Sequence, residues 1–598
     1  MRIFLNLFQR EEETDTVEEP IVYPPASHLT MTRLFGCMAW LMFAVSLVNA
    51  ADPLPPPRAR TAPRTVATPQ PKSILPLSGL NQAKPMFDSC VYRYSVSTEN
   101  PQCQAYVNQG LGMYYSYVWI EAARAFETAL LHDPDCAYAW LMLSRSLEKW
   151  GRSGAVVSAS PFQAAVGGGV YSKLPPRVGK TAAEYALAKA RLLMFHANHR
   201  EQLLIEARLQ EKGMWPNTPA DQRTKRATQS LDELLTLYED DEEGWFWRAQ
   251  LAEGVHGKTP FYKALLRLDP VHPGANHELV HFYENIRRPA LGWPYAEGYI
   301  KSSPGIPHAF HMQSHLATRI GKWGSTSDWS SRAVELEKAY HNYQGVTPGE
   351  DHQFNHHMET LTRSLVHDGR FYEARRIKTE AEGYKYAFRP EWFRMALAEG
   401  DWDEAQKIVD HFRRVNKAEG AYYAALLYLE KGETSRAGQE VETLRQIPQG
   451  KRKDRRAELR LWEVQGRYLC QSRNGEAGLK MLKKAVDATK GDYNHHAWGG
   501  GAVLMETWGV AALECGNAEQ AEEAFQEALA HDAGSVRGAL GLWALCTQLG
   551  RSEEASRYLT LARRCWSRSD PDDFHQLQDD LAAKAARLPR VISTAADR

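Results

Sequence analysis

The chain has 598 residues, 43% of them hydrophobic, and its 72 lysines and arginines nearly balance 73 aspartates and glutamates. This composition is typical of a folded globular protein and excludes a disordered or collagen-like chain. The net charge of −1 argues against nucleic acid or an anionic membrane as the partner, because both require clustered positive charge.

The first recognisable element is an apolar run over residues 34–50, which follows Arg33 and ends in Val48-Asn49-Ala50. A basic flank, an apolar stretch and small residues at its end are typical of a secretory signal peptide. Met31 is then the natural start, and residues 1–50 comprise an over-extended start plus the signal peptide. This pattern predicts export to the periplasm or the exterior of a bacterium, with an uncleaved membrane anchor through residues 34–50 as the alternative.

Residues 51–100 are predicted to be a Pro-rich linker and N-terminal extension. Cys90 and Cys103 flank a polar loop there. In an oxidising compartment they could form a disulfide, and free thiols are the alternative. Cysteine spacing of the C-x-x-C type, which would indicate a thiolate metal site, does not occur.

After about Asn100 almost every segment has helical periodicity, and no convincing alternating strand pattern is present. The helices repeat every 34 residues. Four positions near the C-terminus recur at that spacing: Gly516, Ala521, Phe525 and Ala528 return as Gly550, Ala555, Leu559 and Ala562. The small residues allow two helices to approach closely, and the large apolar residue fills the gap between neighbouring hairpins.

This pattern resembles the tetratricopeptide repeat from about Gln102 to about Trp566. The resemblance implies an all-α solenoid, a right-handed superhelix of antiparallel helix pairs with a concave inner groove, and roughly nine or ten hairpins. It divides the chain into N-terminal hairpins (101–215) with a loop insertion (151–180), central hairpins (216–380), C-terminal hairpins (381–570), and a C-terminal helix and tail (571–598).

Histidine is the unusual component of the composition, since twelve of the 21 histidines lie between His256 and His367. Within this window His277 and His281 recur 34 residues later as His311 and His315. The two pairs therefore occupy equivalent positions on the first helices of consecutive hairpins. Imidazoles four residues apart on a helix lie about 5–6 Å from each other, close enough to share one divalent ion.

At 100° per residue, Glu284 falls within about 20° of His277 and His281 within about 40°. These side chains form a polar stripe, which the resemblance places toward the groove, and His308 shares the stripe of its own helix. Zinc or copper would suit such neutral imidazoles. The candidate ligands are His277, His281, His308, His311, His315 and Glu284, with His352, His356 and Glu359 on the next helix as further candidates.

Two functions follow from these patterns. The first is an exported scaffold that binds a protein or peptide in its concave groove. The alternative is a metal-binding protein, or a metal-dependent hydrolase if one coordination position stays open to water. The histidines could also simply bond each other, cap helices or contact a peptide. The elements at 272–281 and 308–315 are similar to H-P-G-x-x-H-x-x-x-H and H-x-x-H-M-x-S-H elements of some exported bacterial tetratricopeptide proteins, and no catalytic residue or organic cofactor is assigned.

Overall fold

The computed structural model of the protein describes residues 74–152, 181–447, 455–491 and 502–589. The predicted signal peptide at 34–50 and most of the predicted insertion at 151–180 lie outside these ranges. In the described part of the chain, no helix combines the length and apolar content that crossing a bilayer requires.

The described residues form 25 α-helices, and no strand is present among them. The N-terminal helices are α1 (Pro101–Tyr115), α2 (Trp119–His132), α3 (Ala137–Leu147), α4 (Ala182–Leu193), α5 (His199–Glu211), α6 (Arg223–Leu237), α7 (Glu242–Gln250) and α8 (Gly254–Leu268). The central helices are α9 (Pro273–Asn285), α10 (Pro289–Ser302), α11 (Pro307–Arg319), α12 (Trp323–Gln344), α13 (Phe354–His367) and α14 (Phe371–Gly383). The C-terminal helices are α15 (Arg389–Glu399), α16 (Trp402–Val415), α17 (Lys417–Glu430), α18 (Thr434–Gln446), α19 (Arg455–Gln471), α20 (Gly475–Thr489), α21 (Val503–Glu514), α22 (Ala518–His531), α23 (Val536–Gln548), α24 (Ser552–Cys565) and α25 (Pro571–Ala585).

These helices pair into hairpins, each formed by an odd-numbered first helix and the even-numbered second helix that follows it. The described ranges contain twelve hairpins, and α25 packs on α21 and α23 after the last of them. The predicted all-α solenoid of helical hairpins is confirmed. The number of hairpins is larger than the nine or ten expected from the glycine and alanine spacing.

At the hairpin turns one residue takes a left-handed backbone conformation. Gly516 and Gly550, both recognised from the 34-residue spacing, have φ values of 71° and 73°. In other hairpins the turn residue is Tyr117, Arg287 or Arg473, with φ values of 57°, 62° and 61°. Left-handed residues other than glycine are uncommon. These hairpins therefore lack the glycine that marks the repeat in the sequence.

The C-terminal hairpins pack around Phe525, whose side chain is completely buried. A Cβ atom added to Gly509 would lie 2.5 Å from the Phe525 ring, and one added to Gly541 would lie 2.4 Å from it. The two first helices, α21 and α23, therefore approach Phe525 so closely that only glycine fits at these positions.

We expect Gly541→Ala to lower the free energy of unfolding by about 1–3 kcal/mol, because the added methyl group overpacks the contact with Phe525. Denaturant unfolding measures this difference. Gly349→Ala is the matched control, since no neighbouring atom lies within 4 Å of its added Cβ. Equal unfolding free energies for the two variants would contradict the close packing at Phe525.

The chain before α1 packs along the ends of several hairpins. The Val91 N–H donates to the Ser302 carbonyl (2.7 Å), the Tyr94 hydroxyl to Asp241 (3.1 Å), and the Ser97 N–H to Glu201 (2.6 Å). Residues 89–98 thus contact the ends of α5, α7 and α10. The predicted N-terminal extension is part of the folded body over its described residues.

Glu243, at the start of α7, holds this segment in place through a hydrogen bond from Tyr92. Its carboxyl group is fully buried and accepts hydrogen bonds from the Tyr92 hydroxyl (3.1 Å), the Tyr115 hydroxyl and the Trp247 indole (2.9 Å). Because Tyr92 belongs to the segment and Tyr115 to α1, one side chain joins three elements. The hydrogen bonds also satisfy a carboxyl group that would otherwise be costly to bury.

Of the two alternatives for Cys90 and Cys103, the structure has free thiols. Both side chains are buried, and the Ser303 hydroxyl donates to the Cys90 sulfur at 3.6 Å. Burial raises the pKa of the Cys90 thiol, so it remains protonated and unreactive at neutral pH.

Candidate metal centre

Seven histidines from three consecutive first helices form one contiguous group, which we call the histidine cluster. Its members are His277 and His281 on α9, His308, His311 and His315 on α11, and His356 and His357 on α13. Neighbouring ring centroids lie between 4.1 and 6.2 Å apart. Histidines three or four residues apart share a face of their helix, and packing of α9, α11 and α13 brings these faces together.

His277, His281 and His308 form the first triad of the cluster. The Nε2 atoms of His281 and His308 each lie 3.1 Å from Nε2 of His277. Nδ1 of His277 lies 2.7 Å from the Tyr115 carbonyl. Since a carbonyl only accepts, Nδ1 carries the proton and the Nε2 lone pair faces the other two rings. A backbone carbonyl that orients a ligand ring in this way is typical of histidine metal sites.

His311, His315 and His356 form the second triad. Nε2 of His315 lies 2.7 Å from Nε2 of His311, and the His356 ring lies 4.7 Å from the His311 ring between centroids. In each triad, one nitrogen from every histidine lies within 4.8 Å of the other two. Each triad therefore offers three nitrogen ligands to one ion.

The structure brings most of the predicted ligands together but distributes them differently from the prediction. The two i,i+4 pairs do not form one quartet: His308 joins the first pair, and His356 joins the second. His352 lies outside both triads, with its ring stacked 6.0 Å from Trp119. Glu359 is paired with Arg363 at 2.9 Å.

Glu284 lies behind the rings rather than among the converging Nε2 atoms. Its Oε2 is 3.6 Å from Nδ1 of His281, and its Oε1 is 3.4 Å from Nδ1 of His315. The Arg319 guanidinium pairs with the same carboxylate at 2.7 Å. Although burial opposes ionisation, contacts with His315, His281 and Arg319 hold the pKa of Glu284 well below its usual range. Glu284 is therefore an ionised carboxylate that contacts a ligand of each triad.

Three further residues of the site carry little signal in the sequence. His357 lies 4.1 Å from His311 between ring centroids, and its Nδ1 is 2.9 Å from Glu337. Burial raises the pKa of Glu337 well above its usual range. Tyr117, which is 160 residues before His277 in the chain, lies 4.3 Å from its ring. Packing of α12 and α13 places Glu337 and His357 together, and the turn after α1 brings Tyr117 to the cluster from a distant part of the chain.

The Tyr117 turn between α1 and α2 covers one side of the first triad. Its phenol ring stacks on His281 at 5.9 Å and 11°, and its hydroxyl donates to Glu278 at 2.8 Å. The backbone φ of 57° is unusual for a bulky residue. Tyr117 is the left-handed residue of this hairpin turn, as Arg287 and Arg473 are of theirs.

Burial keeps three imidazoles of the cluster neutral, because it lowers the pKa of His277, His308 and His311 well below the usual range. A neutral imidazole has a free lone pair for a metal ion, whereas a protonated ring has none. Within the described residues, the buried Nδ1 atoms of His308 and His311 have no hydrogen-bond partner.

Each triad also has one member that solvent can reach. The His281 side chain is 31% exposed, and His356 is exposed at the start of α13. The other four triad histidines are buried. An ion can therefore enter each triad from one side while the remaining nitrogens stay shielded from water.

His272 shows what burial of a neutral histidine means for stability. It is fully buried, caps α9 by accepting the Ala275 N–H (3.1 Å), and contacts the rings of Tyr92 and Tyr115. Burial lowers its pKa to about 3. Below pH 6.5 the unfolded chain binds a proton here that the folded chain does not, so stability falls as the pH falls.

We expect His272 to contribute a loss of about 1.4 kcal/mol per pH unit between pH 6 and pH 4. Denaturant unfolding at several pH values measures this slope. His272→Asn keeps an N-cap acceptor but does not titrate, so its slope is expected to be smaller by that amount. An unchanged slope would show that His272 is not held neutral.

The comparisons with known proteins identify the repeat. Residues 120–155 match the family model described as tetratricopeptide repeat, and they contain most of α2 and all of α3. Residues 120–155 therefore carry a tetratricopeptide repeat. No curated protein sequence matches the chain at a significant level.

Two solved structures align with most of the chain. The crystal structure of yeast Tom70 is 12% identical and aligns over 80% of this chain and 92% of that chain, with a TM-score of 0.22. The APC/C heterotetramer Cut9–Hcn1 is 9% identical and aligns over 80% of this chain and 96% of that chain, with a TM-score of 0.27. Both TM-scores are low, and the tetratricopeptide repeat is identified by the match at residues 120–155.

Proposed function

We propose that the chain is a protein-binding scaffold that takes a segment of its partner between the first helices of the C-terminal hairpins. The observation that supports this proposal is a cavity of about 290 Å³. Its walls come mainly from α15, α17, α19, α21 and α23, which are all first helices, and from α25. A row of first helices around one cavity is the arrangement expected of a groove that receives an extended chain.

The chemistry of the cavity indicates what kind of segment would fit. Trp402, which is 37% exposed, and Trp566 supply aromatic surface, while Arg537, Glu514 and Asp580 supply charges of both signs. Partly exposed tryptophan and arginine side chains are the residue types that most often dominate binding energy at interfaces. A polar peptide with one large apolar side chain would complement these walls.

A displayed peptide library selected on the whole chain tests the scaffold. Selected peptides are expected to bind Trp402→Ala and Arg537→Ala at least about 10-fold more weakly, which corresponds to about 1.4 kcal/mol. Arg332→Ala, at an exposed position on α12, is the matched control. Peptides that bind all three variants equally would place the partner site elsewhere.

We also propose that the scaffold is exported. Support comes from the apolar run at 34–50 with its basic flank and small terminal residues. Fusion of residues 1–100 to a phosphatase that is active only outside the cytoplasm is expected to give active enzyme. Activity in the soluble fraction would indicate cleavage, activity in the membrane fraction would indicate the anchor, and an inactive fusion would contradict export.

The second candidate function is transition-metal binding, which the geometry of the histidine cluster favours. Two sets of three imidazole nitrogens lie close enough to share an ion, and neutral imidazole suits zinc and copper. Added Zn²⁺ is expected to raise the melting temperature, since an ion at 100 times its Kd stabilises the folded chain by about 2.7 kcal/mol. Mg²⁺, which prefers oxygen ligands, is the control, and equal effects of the two ions would contradict binding by the histidines.

A further inference from the structure

The two triads of the histidine cluster are separate ligand sets. They share no residue, and each forms its own group of three nitrogens within 4.8 Å of one another. Two nitrogens on one tetrahedral zinc lie about 3.3 Å apart, as Zn–N bonds of about 2.0–2.1 Å require. The Nε2 separations of 3.1 Å in the first triad are close to that value without any rearrangement.

Glu284 connects the two ligand sets. It contacts Nδ1 of His281 in the first triad and Nδ1 of His315 in the second, at 3.6 and 3.4 Å. A carboxylate only accepts, so these contacts favour the tautomer that has the ring proton on Nδ1 and leaves the Nε2 lone pair for an ion. A carboxylate behind a ligand histidine fixes the tautomer and the orientation of the ring and raises its basicity. Here one carboxylate does this for two rings in different triads.

The charge of Glu284 also suits a pair of cations. The side chain is 4% exposed, and Arg319 holds it in place at 2.7 Å. Two divalent ions in neighbouring triads would repel each other, and a buried negative charge between them lowers that repulsion. Glu284 contacts members of both triads, so its negative charge lies close to both ligand sets.

We propose that the histidine cluster binds two transition-metal ions, one in each triad, and that Glu284 is a positioning residue shared by both sites. The inference rests on the proposed metal binding. Compared with a single metal site, it predicts two bound ions per chain and predicts that one carboxylate, Glu284, affects the binding of both. Three imidazoles leave a fourth position of each ion open on the side of His281 or His356.

Titration of the whole, metal-free chain with Zn²⁺ followed by calorimetry tests the stoichiometry. Two equivalents are expected; His308→Ala should remove the ion of the first triad and His356→Ala that of the second. No zinc uptake would overturn the proposed metal binding itself. If the chain bound one equivalent of zinc and both variants lost it, the two-ion inference would be overturned. The proposed metal binding itself would still be supported.

The role of Glu284 is tested with Glu284→Gln, which is expected to retain two equivalents but to weaken both by about 10–100-fold. Glu391→Gln is the matched control: Glu391 is 5% exposed and pairs with Arg363 on a neighbouring first helix, as Glu284 pairs with Arg319. If Glu284 acted only by stabilising the fold through a buried ion pair, both variants would weaken zinc binding equally. That result would overturn the positioning role of Glu284.

A spectroscopic measurement separates positioning from folding. With Cu²⁺ as the probe, each site can be filled alone in the His308→Ala or the His356→Ala background. Glu284→Gln is expected to change the copper hyperfine splitting of the remaining site in both backgrounds, while Glu391→Gln leaves it unchanged. A spectrum that Glu284→Gln alters in one background or in neither would contradict a shared role.

Discussion

Replacing both His277 and His311 with alanine is expected to reduce zinc affinity by more than about 100-fold. Loss of a residue that only hydrogen-bonds to a metal ligand typically costs about 10–100-fold, and these histidines are ligands themselves. Each substitution removes the central ligand of its triad, since His277 lies within 3.1 Å of two other Nε2 atoms and His311 within 2.7 Å of one. The two imidazoles left in each triad cannot form a closed nitrogen site. Competition with a zinc-binding dye measures the loss.

His352→Ala is the matched control for this double variant. His352 belongs to the same histidine-rich window but lies outside both triads, stacked on Trp119. Its removal is expected to leave zinc affinity unchanged. The metal-free forms should be compared by denaturant unfolding as well, because His277 and His311 are buried and their loss creates cavities. Wild-type zinc affinity in a folded double variant would contradict the assignment.

Glu243→Ala is expected to lower the free energy of unfolding by about 3–5 kcal/mol, because it leaves buried donors without an acceptor. Glu243 accepts from Tyr92, Tyr115 and Trp247. The segment that carries Tyr92 should loosen at the same time. Protease cleavage between residues 89 and 98, together with denaturant unfolding, measures both effects.

Two controls accompany Glu243→Ala. Glu243→Gln retains a side-chain carbonyl as an acceptor, so its loss of stability should be smaller. Glu335→Ala, at a side chain that is 65% exposed, should change stability by less than about 0.5 kcal/mol. Equal losses in all three variants would show that the hydrogen bonds at Glu243 do not anchor the segment.

The fold could be predicted from the sequence where the repeat keeps its small residues. Gly516 and Gly550 mark turns that need a left-handed residue, and Phe525 marks the contact between hairpins. Where Tyr117 or Arg287 takes the turn position, the backbone is the same but the glycine is absent. The hairpin around Arg287 is still predicted, from the 34-residue spacing of its histidines.

The candidate site could be predicted in part for a similar reason. A 34-residue spacing placed the pairs of α9 and α11 in equivalent positions, which local periodicity is sufficient to show. The division into triads depends on how α9, α11 and α13 pack, and this decides that His308 joins His277 while His356 joins His311. Contacts from distant parts of the chain, such as the Tyr115 carbonyl on His277, carry no signal in periodicity.

The metal content of the chain purified without a histidine tag, measured by mass spectrometry after dialysis against zinc, tests the central claim most directly. The account predicts two zinc ions per chain, both lost when His277 and His311 are replaced by alanine. A metal-free chain that takes up neither zinc nor copper would contradict it.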